Sequence, residues 1–196
     1  MPAPDFSAML RWPNVPACYG WLSLDPRGRW RMRGEALSHR GLTDFLNRQY
    51  AHDENGNYFV QNGPQRVFVA LDYTPWVVHL PAPNRLETQV GETVSELRGA
   101  AIDEEGNLLL EIPPGIALLC DRDLPALLPC LRLADGAVAD DDALLAAIAQ
   151  EPGEISALTL VWQGQRVPVR TVRRCEVAQR YGFIASPQEA PPGAAP

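Results

Sequence analysis

The sequence predicts an α+β protein of two sheet-based units, built from hairpins and short helices. Three observations carry this prediction. Short apolar runs of period two are punctuated by turns rich in Asp, Asn, Gly and Pro, as half-buried strands require. Only a few segments show helical spacing. Charge is also shared unevenly: residues 99–196 hold 14 of the 24 acids and 7 of the 17 basic residues, which accounts for the whole formal charge of −7. A shift of that size near the middle points to two units with different surfaces. The proline-rich loop Pro81 to Arg85 is the expected boundary, giving units over 1–82 and 83–185 and a flexible tail over 186–196.

The first element is a hairpin. Trp21 to Leu24 and Arg29 to Arg33 flank Asp25-Pro26-Arg27-Gly28, with Pro at the second turn position and Gly at the fourth. Alternation sends Leu22, Leu24, Trp30 and Met32 to the buried side and Arg29, Arg31 and Arg33 to the other. Ser38 is placed to cap a helix in which Leu42, Phe45, Leu46 and Tyr50 recur at helical spacing. Asp53-Glu54-Asn55-Gly56 turns the chain into a strand from Tyr58 to Gln61, and Asn62-Gly63-Pro64 returns it as Arg66 to Asp72, with Val67, Val69 and Leu71 on one face. Pro75 precedes Trp76 to Leu80, which is expected to bulge or lie at a sheet edge, because proline cannot donate to a ladder.

In the second half, Leu86 to Val90 and Thr93 to Ala101 read as strands. Asp103-Glu104-Glu105-Gly106 leads into Leu108 to Ile112, and Pro113-Pro114-Gly115 into Ile116 to Cys120. A short turn holds Leu124, Leu127 and Leu128. Asp140, Asp141 and Asp142 open a helix with Leu144, Leu145 and Ile148, and capping explains three consecutive carboxylates better than a metal does. Leu158 to Trp162 and Val167 to Arg170 form a hairpin around Gln163-Gly164, and Arg173 to Tyr181 a closing helix. The turns at Asp25, Asp53 and Asp103 share one pattern, an acid three residues before a glycine. Either they are three separate turns or they mark a duplicated hairpin module.

Composition narrows function. At 46% hydrophobic and 21% charged, the 196 residues suit a soluble globular protein. All basic residues are Arg, so lysine Schiff bases, P-loop lysines and lysine acetylation are excluded. The net −7 and a pI near 4.9 disfavour nucleic acid and anionic membrane as partners. Met1 to Trp12 lacks a signal-peptide core, and a cytoplasmic location is expected. Cys18, Cys120, Cys130 and Cys175 contain no C-x-x-C pair, and His39, His52 and His79 stand at no zinc spacing from them, so buried free thiols and no metal are expected. There is no G-x-S-x-G elbow, H-E-x-x-H or glycine-rich phosphate loop, which argues against the common enzyme classes. No catalytic residue or cofactor is assigned.

Two constellations remain. Arg29, Arg31 and Arg33 on one strand face repel one another unless solvent, carboxylates or a bound anion balance them, and Trp21 is placed to stack on an arginine. The row is either a solvated face, docked against the acidic half, or an anion site. Arg66, Asp72, Tyr73 and Trp76 gather around Pro75, where Trp76 is either a binding aromatic or a core residue.

The order Leu24-Asp25-x-x-Gly28-x-Trp30, Gly34-Glu35, Leu42-x-x-Phe45-Leu46, Asp53-x-x-Gly56-x-Tyr58 and Val69-x-Leu71-Asp72-x-x-Pro75-Trp76 resembles the bacterial domain-of-unknown-function family twelve eighty-five (DUF1285), over residues 20–80. The resemblance implies a two-domain α+β protein with duplicated halves and a second half like a small barrel or a pleckstrin-homology domain. It also implies a small ligand, nucleotide-like, at the domain interface and a signalling role without known enzymatic activity. The expected function is therefore a regulatory module for an anionic small molecule, with Arg29, Arg31, Arg33, Arg66, Asp72, Tyr73 and Trp76 as the binding residues. The alternative is an adaptor that binds a protein partner through a strand edge or the Trp76 surface, and a composite enzyme site stands third.

Overall fold

The structure is a computed structural model that describes residue 13 and residues 15–189. The chain forms two compact units, one of the residues up to Asp25, 29–72 and those from Gly182 onward, the other of 26–28 and 73–181. The division falls at Asp72/Tyr73 rather than in the Pro81 to Arg85 loop. The reason is strand pairing: Trp76–Ala82 hydrogen-bonds to a strand of the second sheet, and that loop is only the tip of a hairpin within the same sheet. Met1 to Trp12 and 190–196 lie outside the described residues, including most of the expected tail.

The first unit is a six-stranded sheet with one helix. Its elements are β1 (Ala17–Leu24), β2 (Trp30–Met32), β3 (Glu35–Ala36), α1 (Arg40–Gln49), β4 (Tyr50–His52), β5 (Tyr58–Asn62) and β6 (Gln65–Leu71). The strand order is β3-β2-β1-β6-β5-β4, with β1 and β6 parallel at the centre and a hairpin on either side. The predicted alternation holds for Leu22, Leu24 and Trp30, which are buried together with Val67, Val69 and Leu71, whereas Met32 is half-buried where β2 ends. The helix begins one residue later than expected: His39 is the cap, its Nδ1 accepting from Leu42 N at 3.2 Å. Leu42 and Leu46 are buried. Trp30 Nε1 donates to Asn47 Oδ1 at 2.7 Å, which ties α1 to β2.

The second unit is a nine-stranded sheet, strongly curled into a half-barrel. Its elements are β7 (Trp76–Ala82), β8 (Arg85–Thr88), β9 (Thr93–Val94), β10 (Gly99–Asp103), β11 (Leu108–Ile112), β12 (Gly115–Leu119), α2 (Leu124–Leu127), β13 (Leu131–Arg132), α3 (Asp141–Ile148), β14 (Ile155–Trp162), β15 (Gln165–Val172) and α4 (Val177–Arg180). Asp140 caps α3 by accepting from Ala143 N, as expected. Three expectations are corrected. The run from Thr93 to Ala101 is broken into β9 and β10. The closing helix is a 3-10 turn, Arg174–Glu176, followed by α4. β7 is no edge strand but lies between β12 and β8, because Pro75 precedes the strand; Pro81 falls where the β7–β8 register shifts between His79 and Ala82.

The order β12-β11-β10-β15-β14-β13 repeats that of β3-β2-β1-β6-β5-β4, again with a parallel central pair, β10 and β15, between two hairpins. The second unit adds β7, β8 and β9 beside β12. The acid-to-glycine turn recurs at matching places for Asp25, between β1 and β2, and Asp103, between β10 and β11, and a third, at Asp53, joins β4 to β5. In each, the Asp N–H donates to the carbonyl four residues on (Arg29, Asn57, Asn107) at 3.0–3.1 Å, and its Oδ1 accepts from the N–H of that same residue at 2.8–2.9 Å. The pattern marks a duplicated module. No helix among the described residues is long and apolar enough to cross a membrane.

Gly56 closes one of these turns at φ +79, where a Cβ would lie 2.3 Å from the carbonyl oxygen of Gly182. Ile184 N also donates to Gly56 O at 2.9 Å, so that backbone has little room to retreat. Gly34, at φ +87, has open space around it. Gly34→Ala is expected to lose about 1–2 kcal/mol from the left-handed conformation alone. Gly56→Ala is expected to lose roughly 1–3 kcal/mol more through overpacking. Urea unfolding of both variants measures the difference, and equal losses would contradict the close approach.

Candidate functional site

Asp25 is 1% exposed and sits where β1 ends. A carboxylate there must be met by donors, and the following strand supplies them. Oδ1 accepts from Arg29 N at 2.9 Å, and Oδ2 accepts from Arg29 Nε at 2.7 Å and Arg31 Nη2 at 3.3 Å. The two guanidinium groups remain partly open to solvent, with side chains 53% and 36% exposed. One buried anion therefore holds two arginines, and those three groups sum to one positive charge. The carboxylate that balances this pair is the turn aspartate of the same hairpin.

Arg33 departs from the strand face. With φ +51 it forms the β2–β3 turn together with Gly34, and its guanidinium lies 4.2 Å over the Trp21 ring. Among the described residues Arg33 makes no ion pair. It lines a recess of about 500 Å³ with Met32, Glu35, Ala36 and Leu37. The recess is amphipathic, with an arginine and a carboxylate on an otherwise apolar wall.

The remaining sequence-predicted residues are not gathered there. Arg66 is paired with Ala17, at the far end of β1 from the Leu22–Leu24 segment that pairs with β2, and stacks over Phe59 at 4.6 Å. Asp72 is exposed, its N–H donating to Leu24 O at 3.0 Å. Tyr73 and Trp76 belong to the second unit. Trp76 is 7% exposed and donates through Nε1 to Pro114 O at 3.0 Å, which is the core placement.

Tyr73 is buried beside Asp103, itself 1% exposed. Asp103 Oδ1 accepts from Glu105 N and Asn107 N, and Oδ2 accepts from Asn107 Nδ2 and the Tyr73 hydroxyl, the last at 2.7 Å. Burial first and the neighbouring carboxylate second push the Tyr73 phenol well above its ordinary range, against the opposing Arg174 guanidinium 4.1 Å over the ring. Tyr181 is raised in the same way, by burial and by Glu111, to which it donates at 2.9 Å. All four cysteines are free thiols; Cys18 and Cys120 are buried as expected, whereas Cys130 is half-buried and Cys175 exposed.

Asp25 is the residue sequence reasoning passed over as an anion-holding group, having read it only as a turn former. Its i to i+4 spacing from Arg29 was the available signal.

A family model described as "Protein of unknown function (DUF2946)" matches residues 4–188. A crystal structure of a DUF1285 family protein from Silicibacter pomeroyi DSS-3 is 15% identical, covering 88% of this chain and 90% of its own, with a TM-score of 0.52. A DUF1285 family protein from Shewanella baltica OS155 is 14% identical, covering 55% of this chain and 89% of its own, with a TM-score of 0.42. No curated protein matches. The likeness to DUF1285 read from residues 20–80 thus holds for the fold, and over most of the chain.

Tyr73 and Tyr181 make alkaline stability a test of this burial. Their phenols are raised above the unfolded value of about 10, so their stabilising effect is fully present below about pH 10 and falls as pH rises beyond it, where the unfolded chain ionises first. Tyr73→Phe is expected to lower stability at neutral pH by about 1–3 kcal/mol, since Asp103 loses one donor, and to make the alkaline decline shallower. Urea unfolding across that pH range checks both, and an unchanged slope would contradict the buried pairing.

Proposed function

The chain belongs to the family described as a protein of unknown function (DUF2946), and on that footing we propose that it is a cytoplasmic regulatory module that binds an anionic, phosphate-bearing small molecule. The binding groups are Arg29, Arg31 and Arg33 of the β1–β2 hairpin, with the Trp21 ring and the recess beside Arg33 taking the rest of the ligand.

The observation that supports this reading is the grip of Asp25 on two arginines. Guanidinium groups orient well on phosphate oxygens because their donors form a planar fork. A free arginine loses side-chain entropy on binding, whereas Arg29 and Arg31 are already held by a buried carboxylate, so less remains to be lost. Arg33 adds a third cation, stacked on an aromatic face that also suits a planar ring in a ligand. The protein-adaptor alternative has less in its favour. Trp76 is buried, and the edge strands β3, β4, β9 and β13 are only two or three residues long, which offers little template for strand addition.

Thermal unfolding of the full chain with inorganic pyrophosphate and with nucleoside diphosphates tests the proposal. A ligand at ten times its Kd stabilises by about 1.4 kcal/mol, which raises Tm by roughly 3–6 °C for a chain of this size. The double variant Arg31→Gln, Arg33→Gln is expected to abolish the shift. A response to nucleotides that exceeds the response to pyrophosphate assigns the recess to the base and sugar. No shift at about 10 mM of either probe would overturn the proposal.

A further inference from the structure

In the second unit, the parallel pairing of β7 with β12 sets Val78 beside Leu119, and Cys120 N donates to Val78 O at 2.9 Å. His79, midway along β7, and Cys120, just past the end of β12, are thereby neighbours. The chain then makes a turn, Asp123 N donating to Cys120 O at 2.9 Å, which brings the Asp123 carboxylate back over the pair. Asp123 Oδ2 lies 3.5 Å from His79 Nδ1 and accepts from Leu80 N at 3.2 Å. One donor atom from each of His79, Cys120 and Asp123 lies within 4.8 Å of the others. We propose that these three residues form a site for a zinc-type divalent transition metal, with a fourth position open to solvent.

The geometry and the donor set agree. Tetrahedral coordination with bonds of about 2.0–2.3 Å separates ligand atoms by roughly 3.3–3.8 Å, a spacing that His79 and Asp123 already have. Closure needs the remaining donor atoms to move by about 1 Å at most, within the reach of side-chain rotation. A thiolate with an imidazole and a carboxylate selects zinc-like ions over magnesium or calcium, which take oxygen donors throughout. Binding replaces the Cys120 S–H bond with a metal–sulfur bond and releases that proton to solvent; thiolate and carboxylate then balance the two positive charges. Cys120 is 2% exposed and forms the floor, whereas the side chains of His79 and Asp123 are 35% and 24% exposed, so the open position faces outward.

The surroundings support the three ligands. The Cys120 thiol donates to Asp121 Oδ1 at 3.5 Å, a bond given up when the metal takes the sulfur, and Arg27, which holds Asp121 through two hydrogen bonds of 2.9 and 2.6 Å, offsets the carboxylate left beside the thiolate. At Gly28 (φ +72) a Cβ would lie 3.2 Å from His79 Nε2 and 2.7 Å from Gln89 Cβ, so glycine there leaves the imidazole its place. None of Arg29, Arg31 and Arg33 is among the three ligands.

The test is a titration of the chelator-stripped full chain with Co²⁺, a spectroscopic stand-in for Zn²⁺. The expected result is saturation at one equivalent, with visible bands of a tetrahedral ion and a near-ultraviolet thiolate-to-cobalt charge-transfer band. Cys120→Ser should remove the charge-transfer band and Cys175→Ser should not. His79→Gln and Asp123→Asn, at partly exposed positions, should each weaken binding at least tenfold while the metal-free chain still unfolds cooperatively, the asparagine oxygen remaining able to accept from Leu80 N. Absence of the charge-transfer band, its survival in Cys120→Ser, or undiminished affinity in His79→Gln would overturn the proposal.

Discussion

A carboxylate buried at the end of a strand has to be surrounded by donors, and in this protein that requirement organises both sheets. Asp25 closes β1 and Asp103 closes β10, each 1% exposed. Each collects the backbone N–H four residues on, which fixes where the returning strand begins and hence the register of the hairpin. Each hairpin in turn contributes one strand to the parallel pair at the centre of its module. The donors that complete the two carboxylates differ. Asp103 is met by an amide and a phenol and is consumed by the fold. Asp25 is met by two arginines whose far ends remain in solvent, and so the same device leaves a charged surface in the first unit.

Much of this architecture is legible in the sequence where the causes are local. The Asp-x-x-Gly turns, the burial of Leu22, Leu24 and Trp30, and the cap at Asp140 depend on residues within a few positions of one another, and each is found as read, while Met32, expected to be buried with them, is half-buried. The unit boundary was not legible, because β7 is recruited to the second sheet by β12, some 40 residues further along, and no local signal marks a non-local pairing. The cap at His39 was missed because an imidazole nitrogen does there what a hydroxyl does more often, one residue earlier.

The candidate site divides along the same line. That Arg29 and Arg31 share a strand face follows from period-two alternation; that a single buried aspartate holds both follows from the burial of Asp25, which composition does not reveal. Arg33 was expected to extend the row, but its left-handed backbone takes it into a turn and onto Trp21. Trp76 shows why an aromatic beside a proline is a weak indicator of a binding surface: its apolar ring is better satisfied in the core, and its one N–H finds a carbonyl there. His79, Cys120 and Asp123 escaped notice because only Cys120 and Asp123 are close in sequence, and strand pairing supplies the third.

The two proposed sites use different chemistry, hard anion recognition by arginine in one unit and soft metal ligation in the other. The proposed anion site depends on Asp25 presenting an arginine pair organised in advance. Its most direct measurement is the position of the arginine Nε–Hε resonances of the full chain during titration with inorganic pyrophosphate. Arg29, Arg31 and Arg33 are expected to shift together along one saturable curve, and Asp25→Asn to weaken that curve. Shifts confined to other arginines, or stronger binding once Asp25 is neutralised, would contradict it.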